Sequence, residues 1–278
     1  MRQATIPALI PSPFYGHLTD VVRCFDTAVN VWSHLIAAMY FLLEFINLVY
    51  LKRTLSSRNL FGRLTSDSDL AAISPYCLCV TVCFTLSATF HAFSDHSCYV
   101  HRLGNNLDHV GIVFVLWGTG VSCTHFALRC APSDLRFVYF AVISITAGLC
   151  AALTLRPCFC LPRFRKLRTL IYFFLGASLF VPLYPAWKLF GSVEMLDKAA
   201  GWRSFLALAL VNSLGGVTYT ARVPERWFPG RFDLLGQSHH WMHILVIIGA
   251  IIRLRGLLFV YERWMADEQM AAYCRGVM

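Results

Sequence analysis

The sequence predicts an all-α integral membrane protein with seven transmembrane helices. Hydrophobic residues make up 57% of the 278-residue chain and charged residues only 14%, with a mean hydropathy of +0.58. Soluble domains carry roughly 25% charged residues, and one of this size could not bury so much apolar side-chain area, so lipid is the expected solvent. The apolar runs are about twice the length of a barrel strand and lack strict alternation, which favours helices, because a helix satisfies its own backbone hydrogen bonds.

Seven apolar stretches are long enough to cross a bilayer, and five of them contain no Asp, Glu, Lys or Arg over about 18 residues or more. The first stretch is interrupted by Glu44. The seventh is apolar as far as Arg253 and Arg255, which we expect to snorkel or to lie near the far interface. The predicted spans are Ala28–Leu51, Ala71–Ser94, Val110–Leu128, Phe137–Leu155, Thr169–Trp187, Ser204–Ala221 and His239–Tyr261.

The chain divides into three predicted regions: a short N-terminal segment (1–27), a seven-helix membrane domain (28–261) and a C-terminal tail (262–278). Within the domain, Pro182 and Pro185 should kink the fifth helix, and Gly215 and Gly216 should let the sixth approach a neighbour closely. Most of the eleven cysteines lie in apolar runs, where a free cysteine acts as a small hydrophobic residue.

The net charge of +9 comes from short clusters of Lys and Arg between the apolar runs. This placement fits membrane headgroups rather than nucleic acid, so we expect no nucleic-acid partner. Lys and Arg divide almost equally between the two sides of the membrane, so the positive-inside rule does not determine the orientation.

Five polar residues fall at the same membrane depth. Ser87 and His91 lie four residues apart near the end of the second span, so they share a helix face. Asp108 opens the third span, which runs the opposite way. His239 and His243, also four apart, open the seventh span. The ends of even spans and the starts of odd spans share one side of the membrane, so all five residues lie on that side.

Three imidazoles plus a water are a common catalytic zinc arrangement with one open coordination position. A nearby serine and carboxylate could hold that water or orient a ligand. Helical spacing does not choose between His239 and His240, because His240 and His243 would also converge. Taken singly, each residue has an ordinary explanation, such as a serine bonding its own helix. Their conjunction at one depth favours a metal site.

The remaining polar residues near the interfaces receive simpler interpretations. Solvated loop positions are expected for Asp95 and His96. Contacts with headgroups or with the backbone are expected for His17, His101, His109 and His125.

Five motifs of this chain occur together: Ser87-x3-His91, Asp108 within Asp-x-x-Gly-Ile, Ser238-His239-x3-His243, Asn30-Val-Trp-Ser-His34, and the Arg-Val-Pro-Glu-Arg stretch that starts at Arg222. Together they resemble the progestin and adipoQ receptor family, which is distantly similar to the haemolysin III proteins. Adiponectin receptors are the most similar subgroup. The resemblance covers about residues 26–248.

The resemblance implies seven helices with a cytoplasmic N-terminus and a zinc site between helices 2, 3 and 7 near the cytoplasmic side. By motif, the zinc ligands match His91, His239 and His243, which selects His239 over His240. The family's serine and aspartate match Ser87 and Asp108. Adiponectin-receptor members resemble ceramidases in action, hydrolysing the amide of a sphingolipid to release a free fatty acid.

These expectations combine into one functional hypothesis, a zinc-dependent lipid-amide hydrolase that doubles as a receptor in lipid and metal homeostasis. Zn²⁺ would lower the pKa of a bound water toward ~7 and polarise the carbonyl. Asp108 would accept the water's proton and pass it to the leaving amine, and Ser87 would orient Asp108 or the water. The expected partners are ceramide or another sphingolipid, a free fatty acid, and an extracellular protein or steroid ligand. The expected location is the plasma membrane or an endomembrane.

Two alternatives remain open. In a signalling receptor, zinc would serve only to hold helices 2, 3 and 7 together. In a transporter or channel, polar residues should continue through the membrane, and the fourth and fifth spans offer few of them. A rhodopsin-like receptor is disfavoured, because no Asp-Arg-Tyr-like triplet ends the third span and no Asn-Pro-x-x-Tyr lies in the seventh.

Overall fold

The computed structural model describes residues 13–57, 66–156, 159, 161–232, 235–266, 270, 272 and 274. It gives no side-chain detail for residues 13–26, 51–57, 66–67 and 162. In these ranges the chain is helical, with no β-strand. The helices are α1 (Pro13–Ser57), α2 (Ser66–Phe93), α3 (Cys98–Ala127), α4 (Ser133–Thr154), α5 (Arg165–Ser178), α6 (Leu183–Phe190), α7 (Val193–Ala200), α8 (Trp202–Ala221) and α9 (Ser238–Ala266), with a 3₁₀ turn at Pro162–Phe164.

Seven segments of the described chain are long and apolar enough to cross a membrane, and each coincides with a predicted span. The fifth is formed by α5 and α6 together, and α7 is too short to cross. Large apolar side chains point away from the bundle, as on α4, where Phe137 is 72% exposed and Leu149 is 68% exposed. Seven apolar helices with such outward-facing side chains are the architecture of an integral membrane protein.

The third helix is longer than its predicted span. It begins at Cys98 rather than near Val110, so the turn between α2 and α3 covers only a few residues instead of the whole of 95–109. The difference arises because the predicted span was bounded by the charged residue Asp108, whereas the helix continues through it toward the membrane surface. Ser97 caps its start by accepting a hydrogen bond from the backbone amide of Val100 at 3.2 Å. Asp108 therefore lies within α3, and not at its first turn.

At the centre of the bundle, α2 packs against α1, α3 and α9. The Tyr76 hydroxyl of α2 donates a hydrogen bond to the Ala250 carbonyl of α9 at 2.9 Å, deep in the core. The approach of α2 to α3 requires glycine, since a Cβ on Gly111 would lie 2.9 Å from the Cα of Cys83. Small residues at such contacts let membrane helices pack closely.

The structure changes the prediction for the fifth span and confirms the one for the sixth. The fifth span is interrupted between Ser178 and Leu183, where Pro182 lies, so it is two helices rather than one kinked helix. On α8, a Cβ added to Gly215 would lie 3.4 Å from the Cβ of Leu245 on α9, so this glycine does face a close neighbour.

Arg253 is fully buried at the end of the bundle opposite the histidines. Its Nη1 lies 3.4 Å from both the Gly201 carbonyl oxygen and the Ser204 hydroxyl, where α7 ends and α8 begins. A cation at a helix C-terminus is favourable. Arg253 is thus near the far interface, as predicted, but it packs inside the bundle instead of snorkelling. The segment 188–203, between the predicted fifth and sixth spans, contains the short helix α7.

The end of the bundle opposite the histidines is held by contacts that the sequence analysis did not predict. Asp69, fully buried at the start of α2, accepts a hydrogen bond from His125 Nε2 at 2.8 Å and pairs with Arg129. The Arg129 guanidinium lies 4.3 Å from the centroid of the Trp264 ring on α9. His125 was predicted to contact headgroups or backbone, and that prediction is wrong because its partner is a buried carboxylate.

A disulfide lies at this same end of the bundle. It joins Cys130, in the turn after α3, to Cys274, beyond the end of α9, across 144 residues of sequence. The cysteines within the spans behave as predicted: Cys77, Cys79, Cys83, Cys123 and Cys150 are free and buried.

Candidate metal centre

Three histidines from two helices converge at one end of the bundle. His91 comes from the last turn of α2, and His239 and His243 come from the first two turns of α9. The Nε2 atom of His239 lies 3.1 Å from that of His91 and 3.2 Å from that of His243. His243 is buried and the other two are partly buried, so the group lies at the edge of the helix bundle.

The geometry of the three rings fits a tetrahedral metal ion. Their ligand atoms all lie within 4.8 Å of one another. Zinc–nitrogen bonds of about 2.0–2.1 Å in tetrahedral geometry separate two ligand nitrogens by about 3.3 Å, close to the two distances seen here. Three imidazoles leave a fourth tetrahedral position for a water or a ligand. The donor set suits zinc, copper, iron or nickel better than magnesium or calcium, which prefer oxygen ligands.

His240 does not belong to this group, although helical spacing alone allowed it. Its ring is buried, and its Nδ1 accepts a hydrogen bond from the backbone amide of Gly236 at 3.2 Å, in the segment before α9. Its neighbour His239 instead faces His91. The structure thus brings together the three histidines that the family motif selects.

Ser87 and Asp108 are the two other predicted site residues. Ser87 is buried on α2, four residues before His91, and its side chain hydrogen-bonds the Asp108 carboxylate of α3. This contact places the carboxylate on the helix-2 side of the centre. Ser87 in turn lies one helical turn before His91 on α2, which joins the serine–aspartate pair to the helix that carries His91.

The first helix also contributes to the centre, which the sequence analysis did not assign. The Ser33 hydroxyl lies 3.3 Å from Nδ1 of His243. His34 stacks on the His243 ring, with centroids 3.7 Å apart and 11° between the planes, and Phe84 lies 4.7 Å from the His34 ring. The only sequence signal for these contacts is the Asn30-Val-Trp-Ser-His34 stretch. It contributed to the family resemblance, but no role was assigned to its residues.

The loop before α9 fixes the position at which that helix begins. The Glu225 carboxylate accepts hydrogen bonds from the backbone amide of Ser238 at 2.8 Å and from its hydroxyl. A carboxylate here satisfies a backbone amide that has no partner within the helix and complements the positive end of the helix dipole. Glu225 belongs to the Arg-Val-Pro-Glu-Arg stretch, so that motif holds in place the helix that carries His239 and His243.

Other polar and aromatic residues surround the centre at greater distance. The Tyr219 ring of α8 lies 5.6 Å from that of His239 and is itself covered by the Arg165 guanidinium at 5.4 Å. No sequence signal distinguishes this tyrosine from others near the interface. His101 and His109 contact backbone carbonyls, of Ser94 and Asn105 respectively, as predicted. The exposed residues Asp95 and His96 lie in the turn after α2, and the side chain of His17 lies outside the described residues.

Comparison with known proteins identifies the family of this chain. A family model described as haemolysin-III related matches residues 23–254, which include every residue assigned to the centre. The chain belongs to this family. Curated relatives place it with the adipoQ receptors, which confirms the predicted resemblance.

Three of these relatives come from distant organisms. An adiponectin receptor protein of Drosophila melanogaster is 31% identical over 252 residues, covering 89% of this chain and 53% of that protein. An ADIPOR-like receptor of Saccharomyces cerevisiae is 31% identical over 252 residues, covering 90% of this chain and 76% of the relative. Heptahelical transmembrane protein 4 of Arabidopsis thaliana is 31% identical over 182 residues, covering 66% of this chain and 46% of that protein. The chain thus spans about half the length of the Drosophila relative.

Proposed function

We propose that this adiponectin-receptor-like membrane protein is a zinc-dependent hydrolase of long-chain lipid amides of the ceramide type. The observation that carries the proposal is the convergence of the Nε2 atoms of His91, His239 and His243, with Ser87, one turn before His91 on α2, hydrogen-bonded to Asp108. Three neutral ligands with a carboxylate alongside are typical of a hydrolytic centre, whereas structural zinc sites usually have four protein ligands.

The residues of the chain divide the chemistry between them. When bound, zinc would supply an acidified water and polarise the amide carbonyl. Asp108 takes the proton from the water as its oxygen adds to the carbonyl carbon, and it returns that proton to the nitrogen as the carbon–nitrogen bond breaks. Ser87 keeps the carboxylate of Asp108 facing the centre through its hydrogen bond. The products are a fatty acid and a free amine, so atoms and protons balance.

The Cys130–Cys274 disulfide supports an N-terminus in the cytoplasm. Cys130 follows α3 and Cys274 follows α9, so the disulfide lies on the side of the membrane opposite the three histidines. Disulfides persist in oxidising compartments, which favours the exterior or a lumen for that side. With seven spans, the N-terminus shares the side of the histidines, so under the proposal both are cytoplasmic.

The names of the relatives support a receptor role, which the protein would have in addition to the proposed activity. Under the proposal the protein takes a lipid from the bilayer, and an extracellular protein or a steroid would act from the side of the disulfide. The products of hydrolysis, a fatty acid and a sphingoid amine, would then be the signal passed on. A purely structural zinc in a seven-helix receptor is the competing function, and the same assay separates the two.

The test is fatty-acid release from ceramide by detergent-purified, zinc-loaded protein. Asp108→Asn should keep the zinc and lose about 10²–10⁴-fold of the rate, the usual contribution of general acid–base catalysis. His239→Ala should lose both zinc and activity, whereas His240→Ala should keep both. Wild-type protein that holds zinc and releases no fatty acid would overturn the hydrolase proposal and leave the structural-zinc receptor.

A further inference from the structure

The Ser33 hydroxyl makes two contacts that together determine its role beside His243. It donates a hydrogen bond to the Asn30 carbonyl one turn earlier in α1, at 3.2 Å, and it lies 3.3 Å from Nδ1 of His243. A serine hydroxyl has one hydrogen and two acceptor lone pairs. With that hydrogen directed at the Asn30 carbonyl, the oxygen can only accept from the histidine.

This arrangement specifies the tautomer of His243. An accepting oxygen opposite Nδ1 requires the ring proton to be on Nδ1, which leaves the lone pair of Nε2 available. Nε2 is the atom that lies 3.2 Å from Nε2 of His239. The hydrogen bond of Ser33 thus selects the tautomer in which Nε2, the atom that faces His239, can bind a metal.

The ring plane of His243 has a second restraint from the same helix. His34 lies face to face with it at 3.7 Å, so rotation of the His243 ring would disrupt the stack. Metal-binding histidines usually donate their second N–H to an oxygen that fixes ring orientation and tautomer. In this chain the oxygen comes from α1, a helix that provides none of the three converging imidazoles.

We propose that Ser33 is a positioning residue of the metal centre, which holds His243 in its metal-binding tautomer and orientation. This inference rests on the proposed metal site and extends it to α1. It assigns a role to the serine of the Asn30-Val-Trp-Ser-His34 stretch. It also predicts that the hydroxyl group, and not the volume of the residue, is what the centre needs.

The test compares zinc affinities, measured by chelator competition on detergent-purified protein, with the melting temperature of the metal-free protein as a separate readout. Ser33→Ala should weaken zinc binding about 10- to 100-fold, the usual effect of losing such a partner. Ser33→Thr keeps the hydroxyl and should remain within about threefold of the wild type. Ser94→Ala is the matched control, because the Ser94 hydroxyl bonds the His91 carbonyl oxygen at 3.4 Å and no ring nitrogen.

Three results would overturn the inference. Unchanged affinity in Ser33→Ala would show that the hydroxyl does not act on His243. Equal losses in Ser33→Ala and Ser33→Thr, tracking a lower melting temperature without metal, would show that residue 33 acts through packing. Failure of folded wild-type protein to bind zinc would overturn the proposed function as well. The two results for the Ser33 variants, in contrast, would overturn only the role of Ser33.

Discussion

His34 lies face to face with His243, and neither nitrogen of the His34 ring has a hydrogen-bond partner among the described residues. The ring is buried, with 4% of its surface exposed. A buried polar group without a partner costs roughly 1–3 kcal/mol. His34 therefore carries a cost in folding stability that its stacking on His243 must offset.

Replacing His34 by phenylalanine should separate these two effects. His34→Phe keeps an aromatic ring and removes the unsatisfied nitrogens, so the melting temperature of the metal-free protein should stay the same or rise. His34→Ala also removes the stack and leaves a cavity, so it should destabilise the protein by roughly 2–4 kcal/mol. A His34→Phe protein that binds zinc more than tenfold less tightly would show that the nitrogens take part in the centre.

Glu225 should stabilise the start of α9 in a pH-dependent way. Burial raises its pKa, but the Ser238 side chain and backbone and the nearby Arg222 together outweigh this effect and hold the pKa below its ordinary value. A carboxylate with a depressed pKa stabilises the fold above its unfolded pKa of about 4.3, and this contribution is lost as the pH falls through the lower folded value.

We therefore expect Glu225→Gln to lower the melting temperature of the metal-free protein at pH 7, by an amount corresponding to about 1 kcal/mol. The difference from the wild type should shrink as the pH is lowered through 4. Thermal unfolding in detergent at several pH values measures both effects. A difference that stays constant down to acid pH would contradict a role for the ionised carboxylate.

The Asp69 network should be a major source of stability at the far end of the bundle. Asp69→Asn leaves the mostly buried Arg129 without a counter-charge, and breaking a buried pair in this way costs about 3–5 kcal/mol. Glu194→Gln is the control, because its pair with Lys198 is exposed and should contribute nothing measurable to the melting temperature. Equal effects from the two substitutions would contradict the buried-pair account.

The proposed orientation can be tested with a membrane-impermeant maleimide on sealed vesicles of known sidedness. Cys98 is the exposed free cysteine among the described residues, and it lies on the side of the histidines. Wild-type protein should react only when the cytoplasmic face is accessible. Glu194→Cys, on α7 at the opposite end, should also react when the other face is accessible. The reverse pattern would place the histidines outside.

The fold could be predicted from the sequence to the level of its seven spans, because length and the absence of charge determine where a helix can cross lipid. The helix ends could not, since α3 continues through polar residues to Cys98. The amphipathic α7 was missed for a similar reason, because it carries charges and is too short to cross a membrane.

The candidate site could be predicted where two rules determine the membrane depth of a residue. These are the spacing of residues along a helix and the opposite directions of successive spans. These rules predicted one membrane depth for Ser87, His91 and Asp108, which lie on two helices that are consecutive in sequence. Spacing could not distinguish His239 from His240, since that choice depends on the Gly236 contact before α9. Long-range partners carried no local signal, as with Asp69 and His125, which are 56 residues apart, or with the disulfide between Cys130 and Cys274.

The measurement that most directly tests the account is the zinc content of detergent-purified protein, with wild type, His239→Ala and His240→Ala compared in parallel. The two substitutions remove the same side chain at adjacent positions, but only His239 faces His91. The account predicts about one zinc ion per chain in the wild type and in His240→Ala, with loss in His239→Ala. Folded wild-type protein that neither contains nor takes up zinc, or zinc retained in His239→Ala, would contradict it.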